Sequence, residues 1–294
     1  MRGRFLARRP WLLLGALWAL GGCGAGMFLH VTRVDLGDRL KLYLGGGGNS
    51  AVWLQGREAL VVDVKMADFA RRLKRAVETD LGRRVRRVVL THVHGDHSGG
   101  LGVFPDVGAV LVHPRTRERL QAADRDGKLR AVPFVDVENE VRLVLGGREV
   151  RVLHFGPAHT DGDLVVYFPE EKVLVAGDLL LDGYEPYADT ANGGDLLGFR
   201  RALDSLMKLD FEKAVPGHGE VVDRARAGRS RDYLAALEAA VRAQVAKGKT
   251  EDQAVAEVTL PEFPLKPLPL ASSREKNVRA MYRSLEEAVR KAAP

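Results

Sequence analysis

The stretch Thr91-His92-Val93-His94-Gly95-Asp96-His97 places three histidines and one aspartate within six positions. It directly follows the apolar run Val88-Val89-Leu90, which predicts a buried strand. Because side chains alternate along a strand, the first two histidines should project from the same face at its end. The glycine then allows a sharp turn, which brings the aspartate and the third histidine close by in a different direction.

This arrangement of residue types predicts metal binding. Imidazole nitrogens and carboxylate oxygens are ligands that zinc binds at about 2.0–2.2 Å. For a single histidine, a polar strand end would be the simpler interpretation, but four candidate ligands packed this closely favour a metal site. Two ligands at the strand end and two on the turn indicate two adjacent metal sites rather than one.

The length and composition are those of a globular protein with one main domain. The 294 residues allow a domain of about 200–250 residues together with an extension. Hydrophobic residues make up 46% and charged residues 29%, which is typical of a soluble protein with a sizeable core.

The N-terminal segment has a different character. Four arginines precede an uncharged stretch that runs from Trp11 to Leu29. A basic region followed by a short apolar run predicts a secretory signal peptide over residues 1–22. The sequence Leu20-Gly21-Gly22-Cys23 resembles the lipobox of bacterial lipoproteins, which implies cleavage before Cys23 and acylation of that cysteine.

Two other interpretations of this segment stay open. The 19 uncharged residues could remain as a membrane anchor, although the glycines among them make a poor helix. Arg8-Arg9 could belong to a twin-arginine export signal. All three interpretations place the folded domain outside the cytoplasm, and we expect a periplasmic protein held at the membrane through Cys23. As the only cysteine, Cys23 leaves the chain without an internal disulfide.

The signal segment also explains the basic charge. The formal net charge is +6, and residues 1–22 contain four arginines and no acid, so removing these four charges leaves +2. A near-neutral mature chain gives no electrostatic footprint for a nucleic acid. We therefore expect a small-molecule substrate rather than a nucleic-acid partner.

Strand and helix patterns alternate along the main domain. Apolar runs predict an antiparallel meander of three strands at 40–44, 51–54 and 59–64, and helical spacing predicts helices at 67–80 and 195–209. Strand groups separated by helices in both halves predict a sandwich with sheets inside and helices outside. From about residue 224 the periodicity becomes helical, which predicts a C-terminal helical extension over 224–294.

Three more candidate ligands follow apolar segments. His159 lies in Gly156-Pro157-Ala158-His159-Thr160, Asp178 follows Ala176-Gly177, and His218 lies in Pro216-Gly217-His218-Gly219. Each stands beside glycine or proline at a predicted strand end, where a rigid scaffold presents functional side chains.

Together these motifs resemble the metallo-β-lactamase superfamily. The match runs from about Leu40 to Val222 and contains His-x-His-x-Asp-His, a downstream histidine, a strand-end aspartate and a final Gly-His. The resemblance implies an α+β fold over residues 31–223, an αββα sandwich of two mixed β-sheets flanked by helices. It also implies a dinuclear zinc site at one edge of the sandwich.

The resemblance further implies a role for each candidate ligand. Two zinc ions would be held by seven residues: His92, His94 and His159 at the first, Asp96, His97 and His218 at the second, and Asp178 bridging both. Such a pair supplies a hydroxide at neutral pH for cleaving an ester, thioester, lactone or amide-type bond, with Asp96 orienting the hydroxide or moving a proton. An iron-dependent redox protein and a non-catalytic metal-binding protein are the alternatives.

The sequence departs from true β-lactamases at two positions. The closest such enzymes have a cysteine at the position of Asp178 and a lysine, which binds the drug's carboxylate, at the position of Leu181. The missing lysine argues against efficient β-lactam hydrolysis. The segment Ala158 to Leu164 nevertheless resembles the branch near the dizinc β-lactamases, as does Ala191 to Asp195, where Asn192 is a candidate substrate contact.

The remaining candidates are supporting residues. Asp63 stands at a strand end and could brace the ligand loop. Tyr184 and Tyr187 follow Asp178 and could form the floor or lid of a pocket. We expect His113 and His154 to be structural rather than ligands.

Overall fold

The computed structural model describes residues 31–268 and 273–292, without the side chains of the last two. Its first sheet has seven strands, ordered along the chain. The first four strands pair antiparallel, which confirms the predicted meander, and the pairs from the fourth strand onward are parallel. The strands are β1 (Val31–Leu36), β2 (Leu40–Gly45), β3 (Ser50–Gln55), β4 (Glu58–Val62), β5 (Arg84–Val89), β6 (Ala109–Val112) and β7 (Phe134–Asp136).

The second sheet has six strands and is also mixed. Its strands are β8 (Glu140–Leu145), β9 (Arg148–Leu153), β10 (Val165–Phe168), β11 (Val173–Leu181), β12 (Lys213–His218) and β13 (Val222–Asp223). They pair antiparallel except for β11 and β12, which run parallel. This parallel pairing places His218, the last residue of β12, beside Leu181 of β11.

The described part of the chain contains seven α-helices. In chain order they are α1 (Ala67–Arg75), α2 (Gly95–Ser98), α3 (Pro114–Ala123), α4 (Leu196–Leu206), α5 (Arg224–Ala246), α6 (Glu251–Glu257) and α7 (Arg274–Ala292). The predicted helix over 67–80 is α1 followed by a π-helical turn, Ala76–Asp80. The helix α5 begins at Arg224, where the carboxylate of Asp223 caps it by accepting from the amide of Arg226.

The inner faces of the two sheets form one apolar core. Residues from alternate positions of β2 to β5 pack against residues from β9 to β12. At its centre the ring of Trp53 stacks on Phe168, with ring centroids 5.2 Å apart and planes 26° apart, and both side chains are fully buried. The sheets are therefore held together by hydrophobic burial across the sandwich.

Helices cover both outer faces. The apolar stripe of α1, including Ala70 and Leu73, packs on the first sheet. The helices α4 to α7 pack on the second sheet in a single cluster that includes Leu203, Leu234 and Met281. This is the predicted αββα sandwich, with a helical extension that continues one of its outer layers.

The predicted signal peptide or anchor over 1–22 and the predicted acylation of Cys23 lie outside the described residues. Within residues 31–268 and 273–292, no helix is both long and apolar enough to span a bilayer.

The Trp53–Phe168 contact gives a test of the sandwich. Replacing Phe168 with alanine removes a fully buried ring between the sheets, so we expect it to lower the free energy of unfolding by about 3–5 kcal/mol. Urea unfolding followed by circular dichroism measures this change. Val144→Ala is the matched control, because that side chain is 77% exposed and should change stability by less than about 0.5 kcal/mol. Equal effects of the two changes would contradict this core.

Candidate metal centre

The histidine cluster lies on a loop and a short helix rather than on a strand. β5 ends at Val89, three residues before His92. His92 and His94 therefore do not lie at the strand end, and that prediction is wrong. The pairing stops because the amide of Thr91 donates to the carboxylate of Asp63 at 2.7 Å instead of to a neighbouring strand. His94 precedes α2, whose first turn then presents the next two candidate ligands.

The other three candidates come from the second sheet. His159 lies on the loop between β9 and β10, and His218 is the last residue of β12. Asp178 lies inside β11 rather than just past a strand, because β11 continues beside β12 after register shifts around Gly177. Parallel pairing of these strands therefore places Asp178 next to His218.

All seven predicted ligands come together in two adjacent groups. Within each group the potential ligand atoms all lie within 4.8 Å of one another. The groups are His92, His94, His159 and Asp178, and Asp96, His97 and His218. We call them the first and the second subsite. All of these residues are buried except His94 and Asp96, which are half-buried.

The carboxylate of Asp178 faces both subsites. Its Oδ1 lies 3.2 Å from Nε2 of His97 and 3.6 Å from Nε2 of His218. Its Oδ2 lies 3.5 Å from Nε2 of His159 and 3.9 Å from Nε2 of His92. One side chain thus offers one oxygen to each group, which is the geometry that a bridging ligand requires.

Hydrogen bonds orient the histidine rings toward the centre. Nδ1 of His159 donates to the carbonyl of Tyr187 at 2.7 Å, and Nδ1 of His97 lies 2.7 Å from the carboxylate of Asp63. Nε2 of His94 lies 2.9 Å from the carboxylate of Asp189. A ring that donates through one nitrogen keeps a lone pair on the other, which is how metal-binding histidines are held in proteins.

The unpaired atoms of the site fit metal ions. Among the buried ligand atoms that face the centre, three make no hydrogen bond to the described residues: Nε2 of His92, Nε2 of His97 and Oδ1 of Asp178. Unsatisfied buried polar atoms are costly, so a cluster of them calls for a ligand. Imidazole nitrogens and carboxylate oxygens are atoms that coordinate zinc, so the residues present suit a divalent cation.

Burial keeps two of the rings neutral. It lowers the pKa of His92 well below its ordinary value, and it lowers the pKa of His159 to about 4. Neutral imidazole is the form that binds a metal, so these rings need not lose a proton first.

The carboxylates of Asp178 and Asp96 stay ionised because neighbouring histidines outweigh the effect of burial. Burial alone would raise the pKa of Asp178, but His218 and His97 outweigh it and hold the pKa well below its ordinary value. The same two histidines bring the pKa of Asp96 down to about 2 despite burial. Burial also disfavours charge on His97, yet the carboxylates of Asp178, Asp63 and Asp96 raise its pKa well above the usual range. A metal ion would displace this proton and take over as the positive charge.

The predicted supporting residues differ in whether they reach the site. Asp63 contacts the site, since its carboxylate accepts from the amide and the hydroxyl of Thr91 and lies against His97. Asn192 reaches it only indirectly, by donating to Asp189 at 2.6 Å. Tyr184 is paired instead with Lys266 of the connection before α7.

Tyr187, rather than Tyr184, is the tyrosine beside the cluster. Its ring packs edge-on against His159, with centroids 5.6 Å apart.

Three residues that matter here escape sequence reasoning. Asp189 bonds His94, and Asn49 and the fully buried Lys65 hold the loop beside His97. No motif marks Asp189 or Asn49, because their partners are distant in sequence. A lysine directly after the apolar run 59–64 is a weak signal that could have identified Lys65.

His113 and His154 lie outside both subsites, as expected. Their rings stack on each other with centroids 4.2 Å apart, and Nδ1 of His154 donates to the carbonyl of Asp163. The side chain of Asp163 in turn accepts from the amide and hydroxyl of Thr160, next to His159. These residues therefore support the loop that carries His159.

The family model of the metallo-β-lactamase superfamily matches residues 44–218, which contain all seven candidate ligands. The chain belongs to the metallo-β-lactamase superfamily.

Relatives within this superfamily have different activities. The α subunit of a 2,4-dinitroanisole O-demethylase from Nocardioides sp. is 31% identical over 51% of this chain and 45% of its own length. A type 2 metallo-β-lactamase from Bacillus cereus is 26% identical over 60% of this chain and 68% of its own length. A human acyl-coenzyme A thioesterase is 30% identical over 49% of this chain and 60% of its own length. The chain thus spans about half to two thirds of each relative.

Solved structures share the fold. A metallo-β-lactamase from Pontibacter korlensis matches with a TM-score of 0.61 at 21% identity, over 70% of this chain and 99% of its own. The sec-alkylsulfatase Pisa1 from Pseudomonas sp. matches with a TM-score of 0.70 at 18% identity, over 86% of this chain and 50% of its own. At such identities the similarity establishes the architecture alone.

Asp163 should make stability depend on pH. Burial raises its pKa to about 7, although the hydrogen bonds from Thr160 oppose this. The stability that a protonated Asp163 contributes is full below the ordinary aspartate pKa and is lost as the pH rises through about 7. Between about pH 5 and pH 7, the free energy of unfolding of the metal-free wild type should therefore fall by about 1 kcal/mol per pH unit relative to Asp163→Asn.

Chemical denaturation at a series of pH values measures this difference. Asparagine has the same shape as the protonated aspartate and cannot ionise, so it isolates the contribution of Asp163 from that of other groups. Parallel pH profiles for the two proteins would show that Asp163 titrates normally.

Proposed function

We propose that the protein is a dinuclear zinc hydrolase that cleaves an ester, thioester, lactone or amide-type bond in a small molecule. The observation that carries this proposal is the position of Asp178, with one oxygen toward each group of histidines. Two complete ligand groups joined by one carboxylate suit a pair of metal ions better than a single ion.

The first subsite would hold one zinc through His92, His94 and His159, and the second would hold another through Asp96, His97 and His218. When bound, such a pair supplies a hydroxide at neutral pH and polarises the oxygen of the scissile bond. Imidazole also suits iron, so the donor set supports zinc without deciding against iron. Metal analysis of the purified protein distinguishes the two.

Asp96 is the candidate for proton handling. Its side chain is 28% exposed, whereas that of Asp178 is 5% exposed, so Asp96 is the ligand carboxylate that a substrate can reach. It lies 3.2 Å from Nε2 of His218. Because its pKa is held near 2, Asp96 stays ionised and can accept a hydrogen bond from a nucleophile and so orient it.

A substrate without a carboxylate next to the scissile bond is favoured. Where the dizinc β-lactamases have the lysine that binds the drug's carboxylate, this chain has Leu181, which is buried in β11 and pairs with His218. A buried leucine cannot supply that positive charge. The B. cereus relative is a β-lactamase and the human relative a thioesterase, and this substitution favours esters and thioesters over β-lactams here.

Hydrolysis assays on the zinc-loaded protein test this function. We expect turnover of a simple thioester or lactone, and a loss of at least about 100-fold in His94→Ala, which removes a ligand of the first subsite. A chromogenic cephalosporin should be the poorer substrate. Less than one equivalent of zinc in protein purified with zinc available, or turnover that persists in His94→Ala, would contradict the proposal.

We also propose that the protein is exported and held at the membrane by lipid on Cys23, on the strength of its N-terminal sequence. Cys23→Ser should then move the protein from the membrane fraction to the soluble fraction, as measured by detergent-phase partitioning. Retention in the membrane would instead favour an uncleaved anchor.

A further inference from the structure

We propose that the two metal subsites are held by separate hydrogen-bonded frames, and that the C-terminal extension is part of the frame of the first subsite. The inference rests on the proposed metal site and assigns a positioning role to residues that hold the ligands, including Asn277 and Asn49, whose side chains bond no ligand side chain.

The first frame is the segment 186–195, which we call the bracing loop. The carbonyl of Tyr187 accepts from Nδ1 of His159 at 2.7 Å, and the amide of Asp189 donates to the carbonyl of the same histidine at 2.8 Å. The carboxylate of Asp189 lies 2.9 Å from Nε2 of His94. Two of the three histidines of the first subsite thus take their ring orientation from this loop.

The bracing loop is fixed in turn by the extension. Asn277 of α7 is 2% exposed, and its amide nitrogen donates to the carbonyl of Pro186 at 3.0 Å and to the hydroxyl of Tyr233 at 3.2 Å. At the other end of the loop, the hydroxyl of Ser284 donates to the carboxylate of Asp195 at 2.8 Å. A continuous chain of contacts therefore runs from α7 to His159.

The second frame is built around the segment 45–49, which we call the glycine loop. Nζ of Lys65 donates to the carbonyls of Tyr43, Gly45 and Gly48 at 2.8, 2.5 and 2.7 Å, so all three of its protons are used. The amide of Gly48 donates to the carbonyl of Asp96 at 3.1 Å. A Cβ at Gly48 would overlap the ring of His97, so the loop packs directly on that ligand.

Asn49 extends this frame to the remaining ligand. Its side chain donates to the carbonyls of Pro216 and Gly219 at 2.9 and 3.0 Å, and its amide donates to the carbonyl of Gly217 at 2.7 Å. These three residues surround His218 in the sequence. The glycine loop is therefore bonded to the backbone on both sides of His218.

The bracing loop and the glycine loop share no hydrogen bond in the part of the chain that the structure describes. Asp63, which belongs to neither loop, links the two subsites, because it accepts from the hydroxyl of Thr91 beside His92 and lies 2.7 Å from Nδ1 of His97. Asp63 is left unchanged by the substitutions proposed below. In the part of the chain that the structure describes, neither Lys65 nor the side chain of Asn49 bonds to a histidine of the first subsite. The bonds of Tyr187 and Asp189 likewise reach His94 and His159 and no ligand of the second subsite. Weakening one frame should consequently loosen one metal ion and spare the other.

A matched pair of substitutions tests this separation in the full-length protein. Asn49→Ala and Asn277→Ala each remove a buried amide that donates to two acceptors. We expect Asn49→Ala to weaken zinc binding at the second subsite by about 10-fold and Asn277→Ala to do so at the first, each leaving the other subsite within about 2-fold. Each variant serves as the control for the other.

The readout is a zinc titration of metal-free protein labelled with 15N at histidine. Ring-nitrogen shifts in NMR spectra report metal binding at each ligand, so they assign every dissociation constant to a subsite. A merely structural role would lower the melting temperature of the metal-free variant without changing the ratio of the two constants.

The outcomes separate the two proposals. If the wild type binds two zinc ions and both variants weaken both subsites equally, or neither, the separate frames are wrong while the metal site stands. If the wild type binds no zinc, the proposed function fails as well. Should an alanine variant not fold, Asn49→Ser for the second subsite and Ser284→Ala for the first must give the same assignments, with a smaller change for Ser284→Ala.

Discussion

A buried carboxylate between two groups of histidines is the constraint on which the site depends. Asp178 is 5% exposed, so its charge is stabilised by neighbours rather than by water. His97 and His218 supply that stabilisation and hold the pKa of Asp178 low. With a metal ion in each subsite, the ions would supply the compensating positive charge.

Both sheets contribute to this arrangement. β5 delivers the histidine cluster from the first sheet, and β11 and β12 deliver Asp178 and His218 from the second. The core around Trp53 and Phe168 fixes the two sheets against each other. Because the ligands come from both sheets, the position of the metal centre depends on hydrophobic packing that lies away from it.

Much of the fold could be predicted because its signals are local. Apolar periodicity identified the opening meander, the helix that begins at Ala67 and the helical extension. The misplaced end of β5 has a tertiary cause, since Asp63, 28 positions away from Thr91, takes the amide that would have continued the strand. The strands β1 and β7 were not predicted, and the three residues of β7 are too few to show a periodicity.

The sequence by itself determined the ligand types, their order along the chain and the superfamily, because histidines and aspartates at fixed spacing form a motif that can be recognised before the fold is known. Only the tertiary structure decided how Asp178 faces both subsites, that Asp189 rather than Asn192 contacts a ligand, and that Lys65 and Asn277 support the site. The reason is physical: these interactions join segments 17 to 95 positions apart, and their geometry exists only once the sheets, loops and extension have packed.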